Sequence, residues 1–194
     1  MRRRPVHPVQ RTARALAMAL SLTAFGSAGI VYLRWLLREQ RYNHIIEDAS
    51  TKYGVDKFLV KAVMRRESGF DPFSYGSHGE IGLMQVTAGA GVEWARATGR
   101  RDFGRDSLWD PRANVEAGTW YLARALRRWQ AIDDPIPFAL AEYNAGLGNV
   151  QRWLPAGRET TAQQFLEAIT YPSVRRYIET ITDYYQAYRA AGKL

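Results

Sequence analysis

The chain has no cysteine and only three histidines in 194 residues. The first absence excludes disulfides, thiol nucleophiles and Cys-ligated metals, and an exported chain loses nothing by it. The histidines, His7, His44 and His78, are scattered and form no ligand-spaced cluster, which argues against a His-ligated metal. From Tyr42 onward no run of alternating apolar and polar residues is bounded by hairpin turns. Internal repeats are missing as well, and nothing beyond the Arg-rich start is of low complexity.

What is present suits one core of ordinary size. Hydrophobic residues make up 46% and aromatics 12% of the chain, enough for a single folded domain with an N-terminal appendage but not for two large domains. The net charge of +8 invites a nucleic-acid reading, but residues 1–41 hold eight Arg and one Glu, leaving the rest at +1. A nucleic-acid binder would carry its basic residues on the folded domain; no nucleic-acid partner is expected.

Arg14 and Arg34 bracket nineteen uncharged residues, Ala15 to Leu33. As a helix these would span roughly 28 Å, against a hydrocarbon core of about 30 Å. Five Arg precede the segment and three follow closely, a bias that modestly favours a cytoplasmic N-terminus with the folded domain outside. Gly26-Ser27-Ala28 could serve as a signal-peptide cleavage site, yet the apolar sequence continues through Ile30, Val31, Tyr32 and Leu33, which favours a retained anchor. The division expected is therefore 1–41 as a cytoplasmic Arg-rich start and transmembrane signal anchor, and 42–194 as the folded domain.

That domain reads as mainly α. Asp56 can cap a helix whose apolar Leu59, Ala62, Val63 and Met64 lead into Glu67, with Gly69 placed to stop it. Asp110-Pro111 is a helix start, followed by Val115, Gly118, Thr119, Leu122, Leu126 and Trp129 on one face. Pro172 opens another helix with a stripe of Val174, Tyr177, Ile178, Ile181, Tyr184 and Tyr188. Ser74 to Gly82, Gly99 to Ser107 and Ala145 to Gly148 read as loops around a groove.

Glu67 falls three residues after Met64 and four after Val63, so it shares the apolar face of its helix and points to the core or a cleft. Desolvation there favours the neutral carboxyl, and the negative end of the helix dipole adds to it; both suit a general acid. From position alone, a helix-end Glu in water is the alternative.

Its company decides between them. Glu67-Ser68-Gly69-Phe70-Asp71-Pro72, Gly82-Leu83-Met84-Gln85 and Ala141-Glu142-Tyr143-Asn144-Ala145-Gly146 follow in order, with Leu108 to Val115 and Gly118 to Leu122 between them. These blocks resemble the lytic transglycosylases of the soluble-type (SLT), lysozyme-like family, and the resemblance covers roughly Tyr42 to Tyr188. A lysozyme-like transglycosylase domain with an N-terminal transmembrane helix is the fold implied.

In that family the Glu of the Glu-Ser motif is the only catalytic carboxylate, which carries over to Glu67 as acid and then base. The resemblance places Met84 and Gln85 against the sugar, Tyr143 and Asn144 beside the catalytic Glu, and Tyr177 as a further site tyrosine. Each has a structural alternative: Met84 as core filler, Gln85 as a helix cap, Asn144 as a turn former and Tyr177 as one member of a buried stripe. The chain departs from the family at three points. The usual loop serine is replaced by Gly76, with Ser77 beside it as the substitute binding residue; Glu80 and Glu142 stand where Ala is frequent; and Val86-Thr87-Ala88 replaces the expected Met-Pro.

What the resemblance implies is cleavage of peptidoglycan strands between MurNAc and GlcNAc with a 1,6-anhydro-MurNAc end, without metal or organic cofactor. The anchor would hold the domain on the periplasmic side of a bacterial inner membrane, as a single-pass protein, near envelope machinery whose identity the sequence does not give. Two rivals differ in chemistry. A lysozyme-like hydrolase would need a second carboxylate, for which Glu80, Glu93 and Glu142 are available; a tethered binding module would hold glycan without cleaving it.

Overall fold

The computed structural model describes Gly29 and residues 37–154 and 160–194. The chain divides into two units, Met1–Gln40 and Arg41–Leu194. The expected anchor, Ala15 to Leu33, lies outside the described residues apart from Gly29. Among the described residues no helix is long and apolar enough to cross a membrane.

In the second unit the described residues form eight α-helices: α1 (Asn43–Tyr53), α2 (Lys57–Ser68), α3 (Ala88–Ala97), α4 (Pro111–Arg128), α5 (Ile136–Ala145), α6 (Leu147–Trp153), α7 (Ala162–Ala168) and α8 (Pro172–Ala191). A 3-10 helix, Arg105–Trp109, precedes α4. Among the described residues no strand forms; Tyr75 with Ile81 and Ile81 with Val86 make isolated antiparallel bridges. The fold is therefore mainly α.

Short polar side chains start the helices that matter. Asp56 Oδ1 accepts from the Phe58 N–H at 2.8 Å, and Gly69, at φ +57°, stops α2. Asp110 Oδ1 accepts from the Ala113 N–H at 2.8 Å ahead of Pro111. Such a cap is worth about 1 kcal/mol, because it satisfies a donor that the helix itself cannot.

Two of the expected loops are corrected. Gly99 to Ser107 tightens into the 3-10 helix from Arg105, where Ser107 Oγ accepts from the Gly104 N–H at 3.2 Å. Ala145 to Gly148 is a joint instead of a loop: at Gly146, φ +83° and ψ 153°, α5 ends and α6 begins at once. Of the three expected loops, Ser74 to Gly82 is irregular along its whole length.

Helix α4 occupies the centre, packing on α1, α3, α5 and the 3-10 helix, while α5 continues to α6, α7 and α8. Helix α2 lies against α8 and α1. From α8, Val174, Tyr177, Ile178, Ile181 and Tyr188 are buried and Tyr184 is half-buried, each buried aliphatic contributing about 1.5–3 kcal/mol.

One polar residue pins the irregular segment to this frame. The buried Asn114 of α4 donates through Nδ2 to the carbonyls of Ile81 at 2.7 Å and Leu108 at 2.9 Å, and its Oδ1 accepts from the Met84 N–H at 2.8 Å. Gly82 is required where it passes: its φ is +74°, and an added Cβ would lie 2.6 Å from Asn114 Nδ2.

Candidate active site

Glu67 sits in the last turn of α2 and lines a cleft of about 270 Å³ with Gly76, Ser77, Glu80, Gln85, Thr87, Tyr143 and Asn144. Its Oε1 accepts a hydrogen bond of 2.5 Å from the hydroxyl of Tyr177. Burial pushes the Glu67 carboxyl up from 4.5 to about 7; the Tyr177 hydrogen bond and the Arg66 charge oppose this, and the charge of Glu80 adds to it. A carboxyl poised there can give a proton and take one back near neutrality.

Tyr177 serves two ends of the argument at once. It is 2% exposed, within the buried stripe of α8, and its hydroxyl reaches the cleft carboxyl. Burial raises its phenol well above the usual range, and the Glu67 charge does the same, so it stays a donor. One side chain thus belongs to the buried stripe and also reaches the Glu67 carboxyl.

Of the two readings of Met84, its burial fits core filler. Its side chain is fully buried, its sulfur accepts from Thr119 Oγ1 at 3.8 Å, and a Cβ at Gly118 would lie 2.7 Å from it. Core packing is therefore what its side chain does. It bears on the site through its main chain, since the Met84 carbonyl accepts from the hydroxyl of Tyr143 at 2.8 Å. Burial raises the Tyr143 phenol too.

Gln85 stands in the left-handed region at φ +47°, which a non-glycine residue adopts only when its surroundings hold it there. Its Nε2 donates to the carbonyls of Gly82 at 2.9 Å and Ser74 at 3.1 Å, tying the irregular segment to itself. Ser77 and Asn144 are exposed at the cleft, and Ser77 Oγ lies 3.1 Å from His78 Nδ1.

Several contributors were not singled out by the sequence. Ser68 Oγ donates to the Leu83 carbonyl at 2.8 Å, joining the Glu-Ser turn to the Gly-Leu-Met-Gln turn directly. Asn114 holds the same turn from below; an Asn at the start of an apolar helix face was the available signal. Of the three spare carboxylates, Glu80 lines the cleft. Glu142 is 3% exposed and bonded to Trp129 Nε1 at 2.9 Å and Arg128 Nε at 3.2 Å, while Glu93 pairs with Arg124 at 2.5 Å. Gly99 to Ser107 borders a different pocket, lined by Arg100, Asp102 and Phe103. Among the described residues no three of His, Cys, Asp and Glu converge so as to hold a metal ion.

A helical core that presents one desolvated glutamic acid to a cleft, with an irregular segment as the facing wall, defines a lysozyme-like domain. The chain belongs to the SLT family of that superfamily: the family described as Transglycosylase SLT domain matches residues 44–166. Among curated proteins it is 34% identical over 176 residues to Membrane-bound lytic murein transglycosylase F of Desulfosudis oleivorans, covering 76% of this chain and 36% of that protein. It is 31% identical over 170 residues to Membrane-bound lytic murein transglycosylase C of Salmonella arizonae, covering 78% and 47%. The chain thus spans between a third and a half of the length of these relatives.

Solved structures agree on the fold. The 70 kDa soluble lytic transglycosylase of Escherichia coli superposes with a TM-score of 0.70 at 26% identity, over 77% of this chain and 24% of that one. A complex of the 70 kDa soluble lytic transglycosylase with bulgecin A gives 0.71 at 28%, over 81% and 25%.

Proposed function

We propose that this chain is a peptidoglycan lytic transglycosylase that cleaves the β-1,4 bond between MurNAc and GlcNAc and leaves a 1,6-anhydro-MurNAc end. The observation that carries this reading is Glu67: a desolvated carboxyl, pushed up to about 7 and oriented by a buried tyrosine, at the base of a cleft. The family, and relatives named as lytic murein transglycosylases, support the substrate class.

In this reading protonated Glu67 gives its proton to the leaving glycosidic oxygen as the C1–O bond breaks, and the MurNAc N-acetyl group stabilises the cationic C1. Ionised Glu67 then takes the proton of the C6 hydroxyl, whose oxygen closes onto C1. The carboxyl returns to its starting state and no water is consumed. Desolvation suits the first half, because it keeps the acid protonated; the Tyr177 hydrogen bond suits the second, because it stabilises the ion between the two transfers. Gln85, Tyr143, Asn144 and Ser77 orient the sugar and its acetamido group.

The N-terminal segment completes the proposal. A single-pass anchor over Ala15 to Leu33 would hold residues 42–194 on the periplasmic side of the inner membrane, which limits cleavage to wall within reach of the tether. Local gaps for wall turnover, or for inserting an envelope apparatus, fit that constraint. Catalytic activity spread through detached sacculi, without membrane association, would count against it.

Mass spectrometry of muropeptides released from purified sacculi by the full chain, beside Glu67→Gln, tests the chemistry. Anhydro-MurNAc products that fall by about 10³-fold in the variant are expected. Reducing-end products would point to a hydrolase, for which Glu80 is the carboxylate at hand, and no product from either folded protein would leave a tethered binding module.

A further inference from the structure

The irregular segment that faces Glu67 carries a carboxylate that the mechanism above does not use. Glu80 lines the same cleft as Glu67, and its side chain keeps 25% exposure. Its Oε2 accepts from the main-chain N–H of His78 at 2.9 Å, and its Oε1 lies 3.5 Å from His78 Nδ1, on a ring that is 85% exposed. One oxygen is thereby fixed by the backbone, and the other is met only by a solvated imidazole.

Position 76 explains how the carboxylate comes to stand there. A Cβ on Gly76 would fall 2.2 Å from Glu80 Oε2 and 2.9 Å from Gln85 Oε1. The absence of a side chain at 76 is thus what admits Glu80, and it leaves two acceptor oxygens converging on one point over a bare backbone. Gln85 cannot turn its amide nitrogen to that point without giving up its bonds to the Ser74 and Gly82 carbonyls. The closed turn holds the arrangement, with Gly76 N–H on the Glu80 carbonyl at 2.8 Å.

Beside its bond to the His78 N–H, Glu80 Oε2 can take a second donor, and Gln85 Oε1 converges on the same point. We propose that Glu80 is a substrate-binding carboxylate of this chain: together with Gln85 it receives an amide N–H or hydroxyl of the glycan over Gly76, beside the bond that Glu67 protonates. This rests on the transglycosylase reading of Glu67. The same charge disfavours ionisation of Glu67, so Glu80 binds the sugar and helps to hold the acid protonated until transfer. Around Glu67 stand Tyr177 from α8, Tyr143 from α5 and Arg66 from its own helix, and among the described residues of the irregular segment it is Glu80 whose charge acts on it.

Steady-state kinetics on purified glycan strands from pH 5 to 9, with the full chain in detergent, test this through Glu80→Ala and Glu80→Gln. The second variant can still accept from the His78 N–H, so it guards against a loss that is merely structural. Glu80→Ala is expected to raise KM by about tenfold, the scale of one lost charge-assisted hydrogen bond, and Glu80→Gln, which keeps a neutral acceptor, by about threefold. Both should also move the alkaline limb of kcat to lower pH, because without the Glu80 charge Glu67 loses its proton earlier. An unchanged KM in both, with Glu67→Gln inactive, overturns the proposal and leaves the transglycosylase reading intact. A raised KM with an unmoved alkaline limb assigns Glu80 to packing and overturns it as well. Activity surviving in Glu67→Gln instead brings down the reading on which it rests.

Discussion

Two parts of this molecule draw glutamic acids out of water, and they do so by opposite means. Around α4, Glu116 is met by Lys52 at 2.7 Å and Arg100 at 2.9 Å, and Glu142 of α5 by Arg128 at 3.2 Å with the Trp129 indole at 2.9 Å. At the end of α2, Glu67 faces a neutral phenol inside the cleft, while the cation that acts on it, Arg66, is exposed. A buried carboxylate whose oxygens are taken up by cations and an indole ties helices together; a carboxylate given a phenol inside a cleft remains free to gain and lose a proton. The first kind holds the fold together, and the second can do chemistry.

Exchanging the two roles should therefore fail in both directions. Glu67→Gln removes the proton carrier and is expected to cost about 10³-fold in kcat, roughly 4 kcal/mol, with the fold retained; muropeptide release measures it. The same substitution should remove a pH dependence of stability. Because burial raises the folded Glu67 above its unfolded 4.5 to about 7, its contribution is fully present below 4.5 and is lost as pH rises through 7. At ~1.4 kcal/mol for each pH unit this amounts to about 3 kcal/mol. Denaturant titrations at pH 4.5 and pH 8 should show wild type losing that much more than the variant.

Glu142→Ala should behave in the contrary way. It leaves the Trp129 indole and Arg128 without their acceptor, which costs about 2–3 kcal/mol of stability and lowers Tm by roughly 5–10 °C. The folded fraction should keep its kcat within about threefold.

Gly118→Ala joins the two regions. Its Cβ would meet the Met84 Cβ and Sδ at 2.7 Å and the Tyr143 hydroxyl at 3.0 Å. Overpacking of this kind costs about 1–3 kcal/mol, and the strain falls on the pair that shapes the cleft, so kcat and Tm should decline together. Tyr177→Phe gives the smallest effect, an approximately tenfold loss in kcat. Its hydrogen bond favours the ionised carboxylate, so without it Glu67 rises above about 7 and the alkaline limb of the pH profile moves up. That direction is opposite to the one expected of the Glu80 variants.

How far the sequence reveals this contrast differs along the chain. Helices α2, α4 and α8 are legible because a capping Asp or an initial Pro precedes a stripe of apolar residues on one face. Helix α5 carries Tyr143 and Asn144 but shows no stripe, since Pro137 through Glu142 are buried on all sides and an evenly apolar helix has no period to read. Glu67 is legible because Val63 and Met64 mark its face. For Met84 the motif suggests a contact with sugar, whereas the missing side chain of Gly118 opposite, which makes room for it in the core, has no signal in the motif. The cleft role of Glu80 depends on an absent side chain at Gly76, four residues away across a closed turn, which no periodicity encodes.

The most direct test of the contrast is the titration of Glu67 itself, followed by the side-chain carboxyl carbon in [13C]glutamate-labelled full chain, with Glu67→Gln to assign the resonance. A midpoint near 7 is expected. A midpoint near 4.5, the value of a solvated glutamate, would contradict the claim that this cleft holds a poised acid.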